Sequence, residues 1–154
     1  MPTTGNAAAR KRVSPERLAV WRSFLRAHSE VVQTLERELV EERDLPLTWY
    51  DVLLNLGEAP GGRLRMQDLA DQVLFSRSGL TRLVDRMADA GLVKREPCPT
   101  DRRGMYAVLT NAGRARLRDA AGVHLRGVNE HFVARLDDDD VAALGQILAK
   151  VLDE

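Results

Sequence analysis

The stretch from Gln67 to Ala90 constrains the chain more than any other, because it reads as two short amphipathic helices separated by three residues. Leu69, Ala70 and Val73 recur at helical spacing in Gln67 to Val73. Leu74-Phe75-Ser76 then interrupts the pattern, and Arg77 to Ala90 resumes it until Gly91 offers a C-cap. Helices joined so tightly must turn sharply to bury both apolar faces, which is the helix-turn-helix plan. At about 100° per residue, Leu80, Leu83, Val84 and Met87 of the second helix point inward. Ser78, Thr81, Arg82 and Asp85 point outward, flanked by Arg77 and Arg86. Such a face suits the edges of nucleic-acid bases: Arg82 can bridge guanine O6 and N7, and Thr81 can touch a thymine methyl. Ser76 at the N-cap leaves early N–H groups near a phosphate. An ordinary solvated helix can carry the same arginines, so the neighbouring segments decide.

Leu92 to Glu96 and Met105 to Leu109 are strand-like runs enclosing Pro97 to Gly104, which reads as a hairpin with a long basic tip. Beside a helix seated in a major groove, Arg102 and Arg103 on that tip are placed to enter a narrow, A·T-rich minor groove. Asp101 is expected to hold the Arg103 side chain extended through a charge-assisted bond, and Lys94 and Arg95 to add phosphate contacts. Total charge is silent here, with 23 basic and 23 acidic residues, but its distribution is not. Residues 61–110 carry 9 basic and 6 acidic groups, whereas residues 134–154 carry 2 and 6. The excess positive charge coincides with the helix-turn-helix and hairpin.

The flanking segments read as long helices. Residues 1–13 show no apolar period and end in Arg10, Lys11 and Arg12, the composition of a disordered basic arm. Ser14-Pro15-Glu16 supplies an N-cap, a proline at the first helical position and an acid near the positive helix end. Leu18, Trp21, Leu25, His28, Val32, Leu35 and Leu39 follow at alternating spacings of 3 and 4, a seam long enough to imply a partner helix. Leu45-Pro46-Leu47 breaks this helix, and Thr48 with Asp51 is expected to form a capping box opening the next, through Leu56. After the hairpin, Thr110 caps a helix carrying Leu117, Ala121, Leu125, Val128 and Phe132. Asp137 to Asp140 start the last one, with Val141, Leu144, Leu148 and Val151 as its seam. The fold class is mainly α with a small β-wing. Hydrophobic residues make up 44% of a length sufficient for one core, and the longest apolar runs are far shorter than the ~20 residues that span a bilayer. A cytoplasmic protein without membrane contact is expected.

These blocks, in this order, resemble the multiple antibiotic resistance regulator (MarR) family of winged helix-turn-helix regulators. The resemblance spans roughly residues 15–152. It rests on Leu69-Ala70, on Ser76-Arg77-Ser78-Gly79-Leu80-Thr81-Arg82-Leu83-Val84-Asp85-Arg86-Met87, on Gly91-Leu92-Val93, and on Asp101-Arg102-Arg103-Gly104 followed by Leu109-Thr110 and Gly113. It implies a single domain over 14–154, with dimerisation helices at 14–44 and 111–152 and a winged DNA-binding lobe at 48–110. It implies a homodimer on double-stranded DNA, with Leu18, Leu25, Leu125, Phe132, Leu144 and Leu148 at the dimer contact. Members usually repress or activate nearby genes, and many release DNA when a small aromatic or phenolic molecule binds between the lobes. Trp21, Phe24, His28, Trp49 and Tyr50 fall on helices that border that cleft. Met66 departs from the pattern, standing where a capping Ser or Thr often opens the first helix of the pair. The reactive cysteine that peroxide-sensing members carry near their first helices is also absent here.

Other chemistries find little support. Cys98 reads as an exposed thiol whose pKa nearby arginines lower, but without a resolving partner in the sequence it is incidental. His124 and His131 fall near one helical face, but with His28 in an apolar seam and no Cys–His pair at metal-ligand spacing the set is thin, so neither metal nor cofactor is expected. An enzyme is not expected, since the chain has no glycine-rich phosphate cradle, nucleophile elbow or Cys–His pair with a third orienting group. The alternative is a helical dimer whose winged domain binds protein rather than DNA.

Overall fold

A computed structural model describes residues 13–73 and 76–154, with Arg77 described by its backbone alone. The basic arm expected over residues 1–13 lies, except for Val13, outside the described residues, as do Leu74 and Phe75 of the turn. Six α-helices and three short strands follow in the order α1 (Pro15–Arg43), α2 (Leu47–Glu58), β1 (Arg63–Arg65), α3 (Met66–Gln72), α4 (Arg77–Asp89), β2 (Val93–Cys98), β3 (Asp101–Leu109), α5 (Asn111–His131) and α6 (Asp138–Leu152).

Helix α1 begins as expected, with the Arg17 N–H donating to Ser14 Oγ at 3.3 Å and Pro15 in the first turn. It ends at Asp44, whose φ of 50° turns the chain away. Only its C-terminal half enters the core, through Leu35 and Leu39. Arg116 of α5 seals that end by donating to the carbonyls of Arg43 and Asp44, and α1 and α5 are further joined by Glu42–Arg126 and by Glu38 with His131 Nε2 at 2.6 Å.

The expected Thr48–Asp51 capping box does not form. Helix α2 starts two residues earlier, with Pro46 at the cap position and no side-chain cap of its own. The Leu47 N–H donates instead to Glu36 Oε2 of α1, so a carboxylate from the preceding helix satisfies the exposed first turn. Asp51 lies half-buried near Glu36. Loss of hydration, reinforced by the Glu36 charge, pushes its carboxyl up to about 6. Because the folded pKa lies above the unfolded one, the folded chain binds a proton that the unfolded chain releases, and stability falls as pH rises from about 4 to about 6. Asp51→Asn is therefore expected to melt several degrees above the parent at pH 7.5, with the gap closing towards pH 4 in differential scanning calorimetry. A gap independent of pH would remove ionised Asp51 as its cause.

The sheet has the order β1-β3-β2 and is antiparallel throughout. The sheet differs from the two-stranded hairpin that the sequence implied in two ways. First, Arg63–Arg65 forms a third strand beside β3, pairing Arg63 with Val108 and Arg65 with Tyr106. Second, the hairpin tip is not the eight-residue Pro97–Gly104 loop: the strands run on to Cys98 and from Asp101, leaving only Pro99 and Thr100 between them. Pro97 is tolerated because β2 is an edge strand, and a register shift between Pro97 and Cys98 absorbs the irregularity.

The core joins α1, α2, α3, α4 and the inner sheet face through Leu39, Leu53, Leu56, Leu69, Val84, Met87 and Ala107, all fully buried. Thr110 caps α5 by accepting the Gly113 N–H at 3.0 Å, and Phe132 stands just past its end. Asp137 and Asp140 form a reciprocal capping box opening α6, which buries none of its residues within the chain. Among the described residues, no helix is long and apolar enough to cross a membrane.

Candidate nucleic-acid interface

The outward face of α4 is built by its inward one. Leu80, Leu83, Val84 and Met87 are almost wholly buried, which turns Ser78, Arg82, Asp85 and Arg86 to solvent and leaves Thr81 half-buried. At the N-terminus the Ser76 hydroxyl accepts the Gly79 N–H at 3.1 Å, so it serves as the helix cap. The Arg77 side chain lies outside the described residues. At the other end Gly91, with φ of 76°, supports a double hydrogen-bonded stop in which the Gly91 N–H reaches Ala88 and the Leu92 N–H reaches Met87. Arg82 and Arg86 have no ion-pair partner among the described residues. Their guanidinium groups face solvent.

The wing is arranged differently from the sequence expectation. Asp101 does not hold the Arg103 guanidinium: its Oδ1 accepts the Arg103 backbone N–H at 3.0 Å, fixing the turn and leaving the side chain exposed. Arg102 is exposed as well. Lys94 and Arg95, expected on phosphates, are engaged with carboxylates: Lys94 Nζ lies 2.8 Å from Glu96, and Arg95 Nη1 lies 2.9 Å from Asp85. The Arg95–Asp85 pair ties the wing to α4 across the site.

Between α4 and the wing runs a groove of about 400 Å³, lined by Arg65, Met66, Gln67, Thr81, Arg95, Asp101 and Arg103 among others. Arg65 and Gln67 were missed in the sequence. The alternation Arg63-Leu64-Arg65 just before a helix was the available signal, too short to distinguish from loop. Met66 is the first residue of α3, which has Arg65 at its cap position and no side-chain cap.

Cys98 is buried, at 5% exposure, rather than exposed. Its thiol is lowered to about 7 mainly because Thr100 offers hydrogen bonds from its hydroxyl and its backbone, and the Arg65 guanidinium donates to its Sγ at 3.6 Å. Among the described residues, no group of three or more His, Cys, Asp or Glu could hold a metal ion. The three histidines have separate surroundings: His28 is exposed on α1, His131 meets Glu38, and the His124 ring lies 4.4 Å from that of Tyr50. Burial lowers the His124 pKa.

The five residues assigned to an aromatic cleft are not gathered in one wall. Trp21 and Phe24 stack at 6.0 Å on the exposed part of α1, and Trp49 is half-buried on α2. Tyr50, expected to offer a polar handle, is 2% exposed and packed in the core.

A tight helix pair, a recognition helix with a solvent-facing basic edge and an adjoining antiparallel wing define a winged helix-turn-helix protein. The model of the MarR family matches residues 43–104, from the end of α1 to the wing. The chain is similar to AbsC, a MarR family transcriptional regulator from Streptomyces coelicolor, with 34% identity, 93% of this chain and 96% of that one covered, and a TM-score of 0.85. It is similar to Sco3205 from the same organism, solved in complex with DNA, with 35% identity, 93% and 90% coverage and a TM-score of 0.86. The regulator MhqR of Bacillus subtilis is 27% identical over 101 residues, which span 66% of each chain. The chain belongs to the MarR family of transcriptional regulators.

Proposed function

We propose that the chain is a homodimeric, sequence-specific DNA-binding regulator that represses nearby genes from a pseudopalindromic site. The observation that carries this reading is the pairing of an α4 face bearing solvent-facing Arg82 and Arg86 with a short wing whose turn Asp101 fixes. Ser76, Ser78, Thr81, Arg77, Arg82 and Arg86 serve the major groove and its phosphates, and Arg102 and Arg103 the adjacent minor groove. Lys94 and Arg95 reach phosphates only by leaving their carboxylates, so their contribution is smaller than that of Arg102 and Arg103. The DNA complex of Sco3205 supports the assignment.

The dimer is supported by apolar surface that one chain leaves open. Leu18 and Leu25 on α1 are 38% and 45% exposed, and Leu125 and Phe132 are 63% and 42% exposed. Leu144 and Leu148 lie half-buried on α6, a helix that packs little against its own chain. Covering such surface is the ordinary reason for two copies to associate. A small aromatic effector, seated near Trp21, Phe24, His28 and Trp49, relieves repression by favouring a dimer whose recognition helices are wrongly spaced. A preference of about 3 kcal/mol for that form weakens DNA binding roughly a hundredfold. The protein acts in the cytoplasm.

Selection from a random double-stranded DNA pool tests the reading. The expected result is a pseudopalindrome with half-sites one helical turn apart, bound with a steep dependence on salt. Absence of enrichment, with binding that vanishes at physiological salt, would contradict it.

A further inference from the structure

The sheet carries a second charged surface, on the face turned away from the core. Cross-strand pairing of Arg65 and Glu96 with Tyr106, and of Arg63 and Lys94 with Val108, puts these side chains on one face, while Ala107 and Val93 point inward. Tyr106 is their platform. The Arg63 guanidinium carbon lies 4.3 Å from its ring centroid and that of Arg65 lies 5.9 Å away, within the range of cation–π attraction. Glu96 is the lone carboxylate of this set, 2.8 Å from Lys94 and 3.9 Å from Arg63, and the Lys94 hydrogen bond lowers its pKa. Three cations and one anion leave a surplus of two positive charges, and among the described residues Arg65 forms no carboxylate ion pair within 4 Å, its guanidinium donating to Cys98 Sγ at 3.6 Å.

We propose that this outer wing face, Arg63–Tyr106–Arg65 with Lys94, is a docking surface for the sugar-phosphate backbone of duplex DNA flanking the half-site. This rests on the DNA-binding reading and extends it beyond α4 and the wing tip. Two features favour this occupant. The face is continuous with the proposed reading surface, because Arg65 also lines the groove shared with Thr81 and Arg103. Tyr106 restrains the Arg63 guanidinium over its ring, and Arg65 is restrained between that ring and Cys98 Sγ, which lowers the entropy lost when they engage phosphates. The face supplies affinity and register but no base recognition.

Binding is measured over a range of salt concentrations on the selected duplex, once trimmed to its two half-sites and once extended by a helical turn on each side. For the parent, extension should tighten binding and steepen the log–log salt slope. The double variant Arg63→Ala/Arg65→Ala should lose that gain, with the slope falling by about 2 on the extended duplex and little change on the trimmed one. Arg63→Lys/Arg65→Lys should keep the slope. Glu96→Gln, which releases Lys94 and Arg63, should bind the extended duplex more tightly than the parent, an increase that misfolding does not produce. Identical behaviour of all variants on the extended duplex would overturn the proposal while leaving the DNA-binding reading intact, and would point to an acidic protein surface instead. Failure of the parent itself to bind either duplex would overturn both.

Discussion

Gly113→Ala is expected to cost about 3 kcal/mol or more, lowering the melting temperature by roughly 6–12 °C. A Cβ at this position would lie 2.0 Å from the Leu92 carbonyl oxygen and 2.7 Å from Leu109 Cδ1. The first of these neighbours is backbone and cannot rotate aside. It is also pinned: the Leu92 N–H closes the stop of α4 on Met87, and the Leu92 carbonyl accepts the Thr110 N–H at 3.2 Å. Thr110 Oγ1 in turn donates to the Gly91 carbonyl at 2.7 Å while accepting the Gly113 N–H. The start of α5 is thus seated on the end of the recognition helix through the Leu92 backbone and the Thr110 hydroxyl. Alanine must push the two apart, loosening the wing root with them. Thermal unfolding followed by circular dichroism reads the effect, and a variant melting within a degree of the parent would show that the seat yields without loss.

The second large effect concerns DNA. Arg103→Ala should weaken binding by about tenfold to a hundredfold on sites with A·T-rich flanks and much less on G·C-rich flanks. The wing turn is set by Asp101 gripping the Arg103 backbone, so the alanine variant keeps the turn and removes only the side chain. The difference between flanks separates minor-groove insertion from simple attraction to phosphate, which would lower affinity equally on both. Equal loss in a titration of matched duplexes would remove groove-width recognition from the account.

The helix-turn-helix was legible because its signals are local. Helical spacing in α4, a capping serine and a terminal glycine all lie within one segment, and the inward set Leu80, Leu83, Val84 and Met87 is buried as the periodicity requires. Signals that depend on distant partners were not legible. Strand β1 is three residues long and exists only because β3 offers an edge, so Arg65 and Gln67 did not stand out as groove residues. The α2 start misled for a similar reason: Thr48 and Asp51 fit a local capping pattern, but Glu36 from α1 reaches the Leu47 N–H first. Prolines at 97 and 99 suggested a loop, whereas an edge strand accommodates Pro97. Charge pairing was hidden in the same way, since nothing in Lys94 or Arg95 alone reveals that Glu96 and Asp85 stand beside them. Tyr50 carries an amphipathic side chain that suits a cleft, and only the assembled core shows it enclosed against His124.

The central claim is that two copies read two half-sites together, and helical phasing tests it most directly. Affinity is measured for the selected duplex and for versions with 5 or 10 extra base pairs between the half-sites, about a half and a full helical turn. A rigid dimer reading one face of DNA predicts that the half-turn insertion abolishes the specific complex by placing the second site on the opposite side. Equal affinity for all three spacings would contradict it, since each copy would then be binding alone.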